Sequence, residues 1–278
     1  MSSTTVWLRG GIGDYFILSM LLHPIINKHD VITIYLSATD NTRSIIKHLI
    51  AQDLSIYRKT DKLITIVDSL YDKCINTVEY EAGAKFDYHL SLWNSNNKNV
   101  IAFEELAKDL NIVPDYSTSI SIPMGARMYT DSGMILLYDR GTSCPTHWSV
   151  DNWILLAMHI ETSVTPGFRP VLVGTRNKNL LSKHCIDIRG CNIFDTMLAV
   201  KLAKAVVCCD SCIKNIAMMY RVPCVMIYDL SHHGALLDAW FPPRFQAKKY
   251  FKYGYVDSEP EVIYNLLNEV IENGPQKS

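Results

Sequence analysis

Thr4-Thr5-Val6-Trp7-Leu8-Arg9-Gly10-Gly11-Ile12-Gly13-Asp14-Tyr15-Phe16 is the stretch on which the reading of the fold turns. Thr4 to Leu8 is β-branched and apolar, the composition of a buried strand. It runs straight into a glycine-rich turn, after which Tyr15 to Leu22 reads as a helix stopped by Pro24. Glycine lets the backbone turn sharply and approach a ligand, and the N–H groups of the helix start face an anion. Asp14 has two readings. A carboxylate in the first turn is favoured by the helix dipole alone, and a general base for a hydroxyl substrate would stand at the same place. Gly11-x-Gly13 also begins a dinucleotide signature, but its third glycine position is Phe16. The second strand ends Leu36-Ser37-Ala38, without an acidic residue, so that signature is incomplete. A tight turn with no ligand is the plain alternative.

The same strand–helix alternation continues outward from this segment. Val31 to Leu36, Leu63 to Val67 and Tyr88 to Trp93 read as strands, and Thr42 to Ala51 and Val100 to Leu110 as helices. It restarts at Gly133 to Tyr138, a strand. Ser149 reads as the N-cap of a helix from Val150 to Glu161. Strands at Pro170 to Val173, Cys185 to Ile188, Val206 to Cys209 and Val222 to Tyr228 follow, with helices near Asn179, at Phe194 to Ala203 and at Ile213 to Tyr220. Strands separated by single helices imply parallel sheets covered on both faces. The expected organisation is α/β: an N-terminal Rossmann-like domain over residues 1–125, a second over 126–260, and a final helix, 261–278, crossing back onto the first domain. The linker is expected between Pro123 and Asp131.

The composition suits this plan. The 278 residues fit two domains of roughly 130 residues each. With 48% apolar and 20% charged residues the chain can bury a core, which excludes disorder and low complexity. Lys and Arg number 27 against 28 Asp and Glu, so a net charge of −1 offers no global grip on nucleic acid or anionic lipid. No apolar run reaches the length of about 18 residues that a transmembrane helix needs. Met1-Ser2-Ser3-Thr4-Thr5 lacks the basic stretch of a signal peptide, and a cytoplasmic protein is expected. The eight cysteines then read as reduced, mostly core, residues.

Three segments of the second half carry more information. One is the polar loop Asp139-Arg140-Gly141-Thr142-Ser143-Cys144-Pro145-Thr146-His147-Trp148, leading to Asn152-Trp153. Another is the strand Pro170-Val171-Leu172-Val173 closing on Gly174. The third is Cys209-Asp210-Ser211-Cys212, a strand end followed by a helix that Ser211 is placed to cap, then Val222-Pro223. With the Gly-x-Gly-Asp of the first loop, the order and spacing of these motifs resemble the heptosyltransferase family of nucleotide-sugar glycosyltransferases, whose GT-B architecture has two facing Rossmann-like domains. The resemblance spans both domains.

What it implies is specific. Asp14 matches the catalytic base, with Arg9, Gly11 and Gly13 in its acceptor-side loop. Thr142 matches a hydroxyl near the donor phosphates, and Asp210 and Ser211 the acidic–hydroxyl pair at the donor site. The implied reaction is an inverting transfer from a nucleoside diphosphate sugar, with no metal and no cofactor beyond the donor itself. Cys212 stands where the family has Gly, Asn215 where it has His, and Thr146 where it has a Lys that neutralises the diphosphate. Arg140, His147 or Arg176 would then meet that charge. A non-catalytic nucleotide-binding module on a degenerate fold is the rival reading.

Other constellations are weaker. Cys209-x-x-Cys212 at a strand–helix junction is a redox spacing, and Cys185, Cys191, Cys209 and Cys212 are four conceivable zinc ligands whose spacing fits no finger. His232 and His233 follow a strand end, at the expected ligand crevice. The stretch Arg244 to Tyr255, with Arg244, Lys248, Lys249 and Lys252, is either a surface strand or loop or a nucleic-acid contact. The acceptor that the resemblance implies is a glycan or, as for the GT-B enzymes of bacteriophages, a hydroxymethylated DNA base, which would be flipped from its duplex to reach Asp14.

Overall fold

The computed structural model describes residues 1–38, 40–53, 62–68, 86–94, 99–100, 102–117, 119–123, 133–140, 148–163, 167–174, 180–229 and 248–275. These fall into two compact units that divide between Ser121 and Ile122, against the boundary expected after residue 125.

The first unit is built on a four-stranded sheet of β1 (Ser3–Arg9), β2 (Val31–Ser37), β3 (Leu63–Asp68) and β4 (Tyr88–Leu90), in the order β3-β2-β1-β4. All its pairings are parallel. Helices α1 (Ile12–Lys28) and α2 (Asp40–Asp53) make the β1–β2 and β2–β3 crossovers. A small antiparallel pair, β5 (Trp93–Asn94) and β6 (Asn99–Val100), precedes α3 (Phe103–Asp109). The strand expected over Tyr88 to Trp93 is thus two short ones, and the helix expected from Val100 begins at Phe103.

Helix α1 is apolar on nearly every side, and Tyr15 through His23, Ile25 and Ile26 are all buried. It does not stop at Pro24. A proline removes one N–H and leaves the carbonyl four residues earlier without its helical partner. That carbonyl belongs to Met20, and it accepts instead from the Asp115 backbone N–H at 2.8 Å. Burial of the flanking Leu22, Ile25 and Ile26 holds the helix together through the break.

Two polar ties complete this unit. Asp53, the last residue of α2, is fully buried. Its Oδ2 lies 2.7 Å from His23 Nε2 and accepts from the Tyr15 hydroxyl at 3.1 Å, while Oδ1 makes no hydrogen bond among the described residues. Burial, with the Asp53 charge adding, pushes the Tyr15 hydroxyl well above its ordinary pKa, which keeps it a donor. Asp87, just before β4, accepts from the Thr5 N–H at 2.7 Å and from both the Thr4 and Thr5 hydroxyls at 3.0 Å.

The second unit has a six-stranded sheet. Its strands are β7 (Met134–Tyr138), β8 (Arg169–Leu172), β9 (Ile186–Asp187), β10 (Ala205–Cys209), β11 (Cys224–Tyr228) and β12 (Phe251–Tyr255). They lie in the order β12-β11-β10-β7-β8-β9 and are parallel throughout. Counted within the unit, this is the strand order of doubly wound nucleotide-binding folds, reversing between its first strand, β7, and its fourth, β10. Helices α4 (Val150–Glu161), α5 (Ile193–Leu202), α6 (Cys212–Met219) and α7 (Pro260–Glu272) cover it. Ser149 caps α4 as expected, its Oγ accepting from the Asn152 N–H at 3.1 Å. Near Asn179 a single 3-10 turn, Leu180–Lys183, stands in place of the expected helix.

One finding corrects the sequence reading and two extend it. The final helix buries Ile263, Leu267 and Val270 in the core of the second unit beside Trp153, Leu156 and Val225. Its apolar face is used there, against the expectation of a helix that crosses back onto the first domain. The stretch Phe251–Tyr255 is an edge strand: Phe251 is buried and Lys252 Nζ lies 2.6 Å from Glu269 Oε1 on α7. Lys252 therefore has an intramolecular counter-charge, whereas Lys248 and Lys249 are exposed in the preceding turn. Finally, Trp148 and Trp153 are core residues, packed edge to face at 5.1 Å, with Trp148 Nε1 donating to the Ser258 carbonyl at 2.8 Å.

Two predictions follow from the ties in the first unit. His23→Leu strands a buried carboxylate, so urea unfolding should show a loss of about 3–5 kcal/mol; a loss below about 1 kcal/mol would show that the pair carries little. The Thr5 N–H holds the Asp87 carboxyl below the ordinary range, against a smaller opposing effect of burial. A carboxylate depressed in the folded state contributes stability above its unfolded pKa of about 4 and loses it as pH falls through the folded value. Asp87→Asn should therefore lower the melting temperature at neutral pH and converge with wild type in acid.

Candidate functional site

In an open parallel sheet the faces are covered by helices, and ligands meet the carboxyl ends of the strands where the strand order reverses. In the first unit that place lies above β1 and β4. Arg9 ends β1 with its guanidinium 5.9 Å from the centre of the Trp7 ring. Gly10 follows with φ +151°, and a Cβ there would lie 2.6 Å from both Cβ and Oδ2 of Asp14. A side chain at position 10 would thus be strained in its backbone and would collide with the carboxylate. Gly11 is the N-cap of α1, and its N–H donates to Asp14 Oδ2 at 2.7 Å. Asp14 is half-buried, held at the third position of the helix by this bond and by the bare backbone of Gly10. Gly13 lies in the first turn. Beside them is a shallow, mostly apolar crevice lined by Arg9, Gly10, Gly11, Leu36, Ala38 and Ile46.

In the second unit the reversal lies between β7 and β10. Three strands adjacent in the sheet end in a buried aspartate at the residue just past the strand: Asp139 after β7, Asp210 after β10 and Asp229 after β11. Asp210 was expected at the site; Asp139 and Asp229 were not singled out. Their signal was visible, since Tyr138-Asp139 and Tyr228-Asp229 each end a wholly apolar run. Arg140 is exposed beside Asp139. Gly174 ends β8 with φ +112°, and a Cβ there would come within 2.2 Å of the Tyr138 ring. Arg189, past β9, is buried and holds Asp187 through two side-chain bonds of 2.9 and 2.7 Å.

Asp210 is paired with a residue that sequence reasoning passed over. Lys214 lies one turn into α6 and is 2% exposed, and its Nζ lies 2.7 Å from Asp210 Oδ1. A lysine among Ile213, Ile216, Ala217, Met218 and Met219, four residues after an aspartate, was the available clue.

Ser211 is the N-cap of α6, but its side chain does not cap. With φ −165° and ψ 173° its Oγ is buried and makes no hydrogen bond among the described residues. Cys212 corrects the redox reading. Burial, reinforced by nearby Cys208, pushes its thiol up to about 11, outweighing the backbone bonds at the helix start that act in the other direction. Cys212 is a protonated thiol at neutral pH, and what it offers a ligand is its backbone. Among the described residues no group of three or more His, Cys, Asp or Glu is placed to hold a metal ion. Thr142, Thr146, His147, Arg176, His232, His233 and Arg244 lie outside the described residues.

No protein-family model matches the chain, and no curated protein matches it in sequence. Its three-dimensional likenesses are extensive. A glycosyl transferase of family 9 from Veillonella parvula superposes with a TM-score of 0.65 at 11% identity, over 98% of each chain. The ADP-heptose lipopolysaccharide heptosyltransferase II of E. coli gives 0.61 at 13% identity, over 98% of this chain and 99% of that one. The dodecameric, iron-containing heptosyltransferase TibC of E. coli, solved with ADP-D-β-D-heptose, gives 0.56 at 15% identity, over 83% of this chain and 59% of its own. Likeness at such identities speaks for the fold, so the resemblance read from the motifs is matched in architecture: the chain has the α/β fold of the GT-B glycosyltransferases, with mostly parallel sheets.

Proposed function

We propose that the protein is a glycosyltransferase that moves a sugar from a nucleoside diphosphate sugar to an acceptor hydroxyl with inversion at the anomeric carbon. The observation that carries this reading is the second sheet's reversal point. There a buried Asp210 ends β10 and the amino end of α6 begins two residues later. A helix start supplies N–H donors and a positive dipole end for a diphosphate, and a carboxylate accepts from hydroxyls. One strand end thus offers both halves of a nucleotide sugar their complement. TibC binds ADP-heptose on a similar fold, which favours the same donor class here.

In the first unit Asp14 supplies the base. The Gly11 N–H donates to its Oδ2 and fixes the direction of the carboxyl group. The acceptor O–H gives its proton to Asp14 as its oxygen bonds to the anomeric carbon. The bond from that carbon to the diphosphate oxygen breaks, and its electron pair leaves with the nucleoside diphosphate. The charge developing on the leaving group is met by the start of α6 and by basic side chains, Arg140, His147 or Arg176, without a metal ion. Of the two acceptor classes a glycan hydroxyl is favoured, because Lys252 of the basic stretch is paired with Glu269.

A second reading has its own support. The bond from Gly11 to Asp14 caps α1, which accounts for an aspartate at this position without any chemistry. On that reading the protein binds nucleotide and transfers nothing.

Asp14→Asn separates the two. Once a donor and acceptor are in hand, calorimetry should find donor affinity unchanged and turnover reduced by about 10²–10⁴-fold. Turnover equal to wild type would remove Asp14 from the role of base. Transfer that survives exhaustive chelation is expected, and its loss would overturn metal independence.

A further inference from the structure

Lys214 is in an expensive place. It is 2% exposed in a helix whose other buried side chains are almost all apolar. Removing an ammonium from water costs several kcal/mol unless a counter-charge is well placed. Near the start of α6 a cation also faces the positive end of the helix dipole. An apolar residue would serve packing better, since a buried ion pair rarely stabilises more than well-packed hydrophobic side chains. What Lys214 achieves is the fixing of one carboxylate. Its Nζ lies 2.7 Å from Asp210 Oδ1, with the lysine side chain at 3% and the aspartate at 8% exposure. Both side chains are almost wholly buried, the lysine slightly more so.

This arrangement has a chemical consequence. A carboxylate repels phosphate and accepts hydrogen bonds from hydroxyls. Donor groups for an anion lie next to it in the chain: the N–H groups opening α6 and the Ser211 hydroxyl, which is buried without a partner among the described residues. The two chemistries must stay separate for a ligand carrying both a diphosphate and a diol to bind in one sense only. They stay separate while Asp210 is held still.

We infer that Lys214 is a positioning residue: it holds Asp210 in place, aimed as the acceptor for hydroxyl groups of a nucleoside diphosphate sugar. This rests on the donor reading above and adds to it the residue that makes Asp210 usable. Lys214 itself touches no part of the ligand.

The test is calorimetric titration with ADP-heptose, UDP-glucose and GDP-mannose, and with the matching free nucleoside diphosphates. The proteins are wild type, Lys214→Met, and the double variant Lys214→Met with Asp210→Asn, each at about pH 6 and about pH 8. Without Lys214 the Asp210 carboxyl is no longer held in one direction. Lys214→Met should therefore bind the preferred sugar nucleotide at least about tenfold more weakly than wild type at both pH values. The double variant removes the unpaired charge and should fold with a melting temperature close to wild type, yet bind weakly at both pH values. It decides the matter if Lys214→Met does not fold. Loss shared by the free nucleoside diphosphate assigns Asp210 to the ribose hydroxyls; loss confined to the sugar nucleotide assigns it to the sugar. Affinities within about twofold of wild type in either variant overturn the inference and leave the donor reading standing. No binding by wild type to any of the three sugar nucleotides overturns both.

Discussion

Parallel strands joined by right-handed helical crossovers leave a sheet with both faces covered, and this governs everything else in the molecule. Val206, Val207 and Cys208 in β10, and Ile135 and Leu136 in β7, have no accessible surface. Nothing polar can be displayed from such positions. Chemistry is confined to strand ends, and among those to the point where neighbouring crossovers leave the sheet in opposite directions. The polar residues obey this. Asp139, Asp210 and Asp229 follow strand ends directly, and Asp14 stands at the turn after β1.

The same constraint explains why α1 tolerates a proline. A helix buried on almost all sides is held by its neighbours more than by its own ladder, so one missing bond is affordable if its carbonyl finds a partner. Asp115 supplies that partner from a segment 95 residues along the chain from Met20. The rigidity gained matters at the other end of the helix. Asp14 is held by the Gly11 N–H and by the absence of a side chain at Gly10, and a carboxylate asked to take a proton from a defined direction needs such fixing.

The features legible in the sequence were the local ones. Alternation of β-branched runs with helical patterns was enough for the α/β class, and the Ser149 cap could be read because donor and acceptor lie three residues apart. What escaped the reading depends on distant partners or on competing local terms. Pro24 looked like a stop because Asp115 is far away in sequence. Ser211 looked like a cap, but its hydroxyl makes no bond to the helix N–H groups. Cys212 looked like a candidate for a lowered thiol pKa, and desolvation outweighed the helix start. Phe251 to Tyr255 is open in the sequence between a surface strand or loop and a nucleic-acid contact, and its pairing with β11 and the contact of Lys252 with Glu269 make it an edge strand. Lys214 was the largest omission. Its meaning lies in its burial, and a sequence shows spacing without depth.

Charge at the second reversal point sets a final condition on any ligand. Three carboxylates end adjacent strands there, and a diphosphate approaching them directly would be repelled. Two buried cations temper the field: Lys214 lies against Asp210, and Arg189 feels the charges of both Asp187 and Asp139. Both cations sit beside carboxylates, so they neutralise without forming an open anion site of their own. A phosphate is then best accommodated at the start of α6, where the charge is that of backbone N–H groups, and a hydroxyl-bearing group at the aspartates. On the donor reading proposed above, the strand ends would sort the two halves of a polar ligand by the hydrogen bonds each can make, and that sorting would depend on both buried cations.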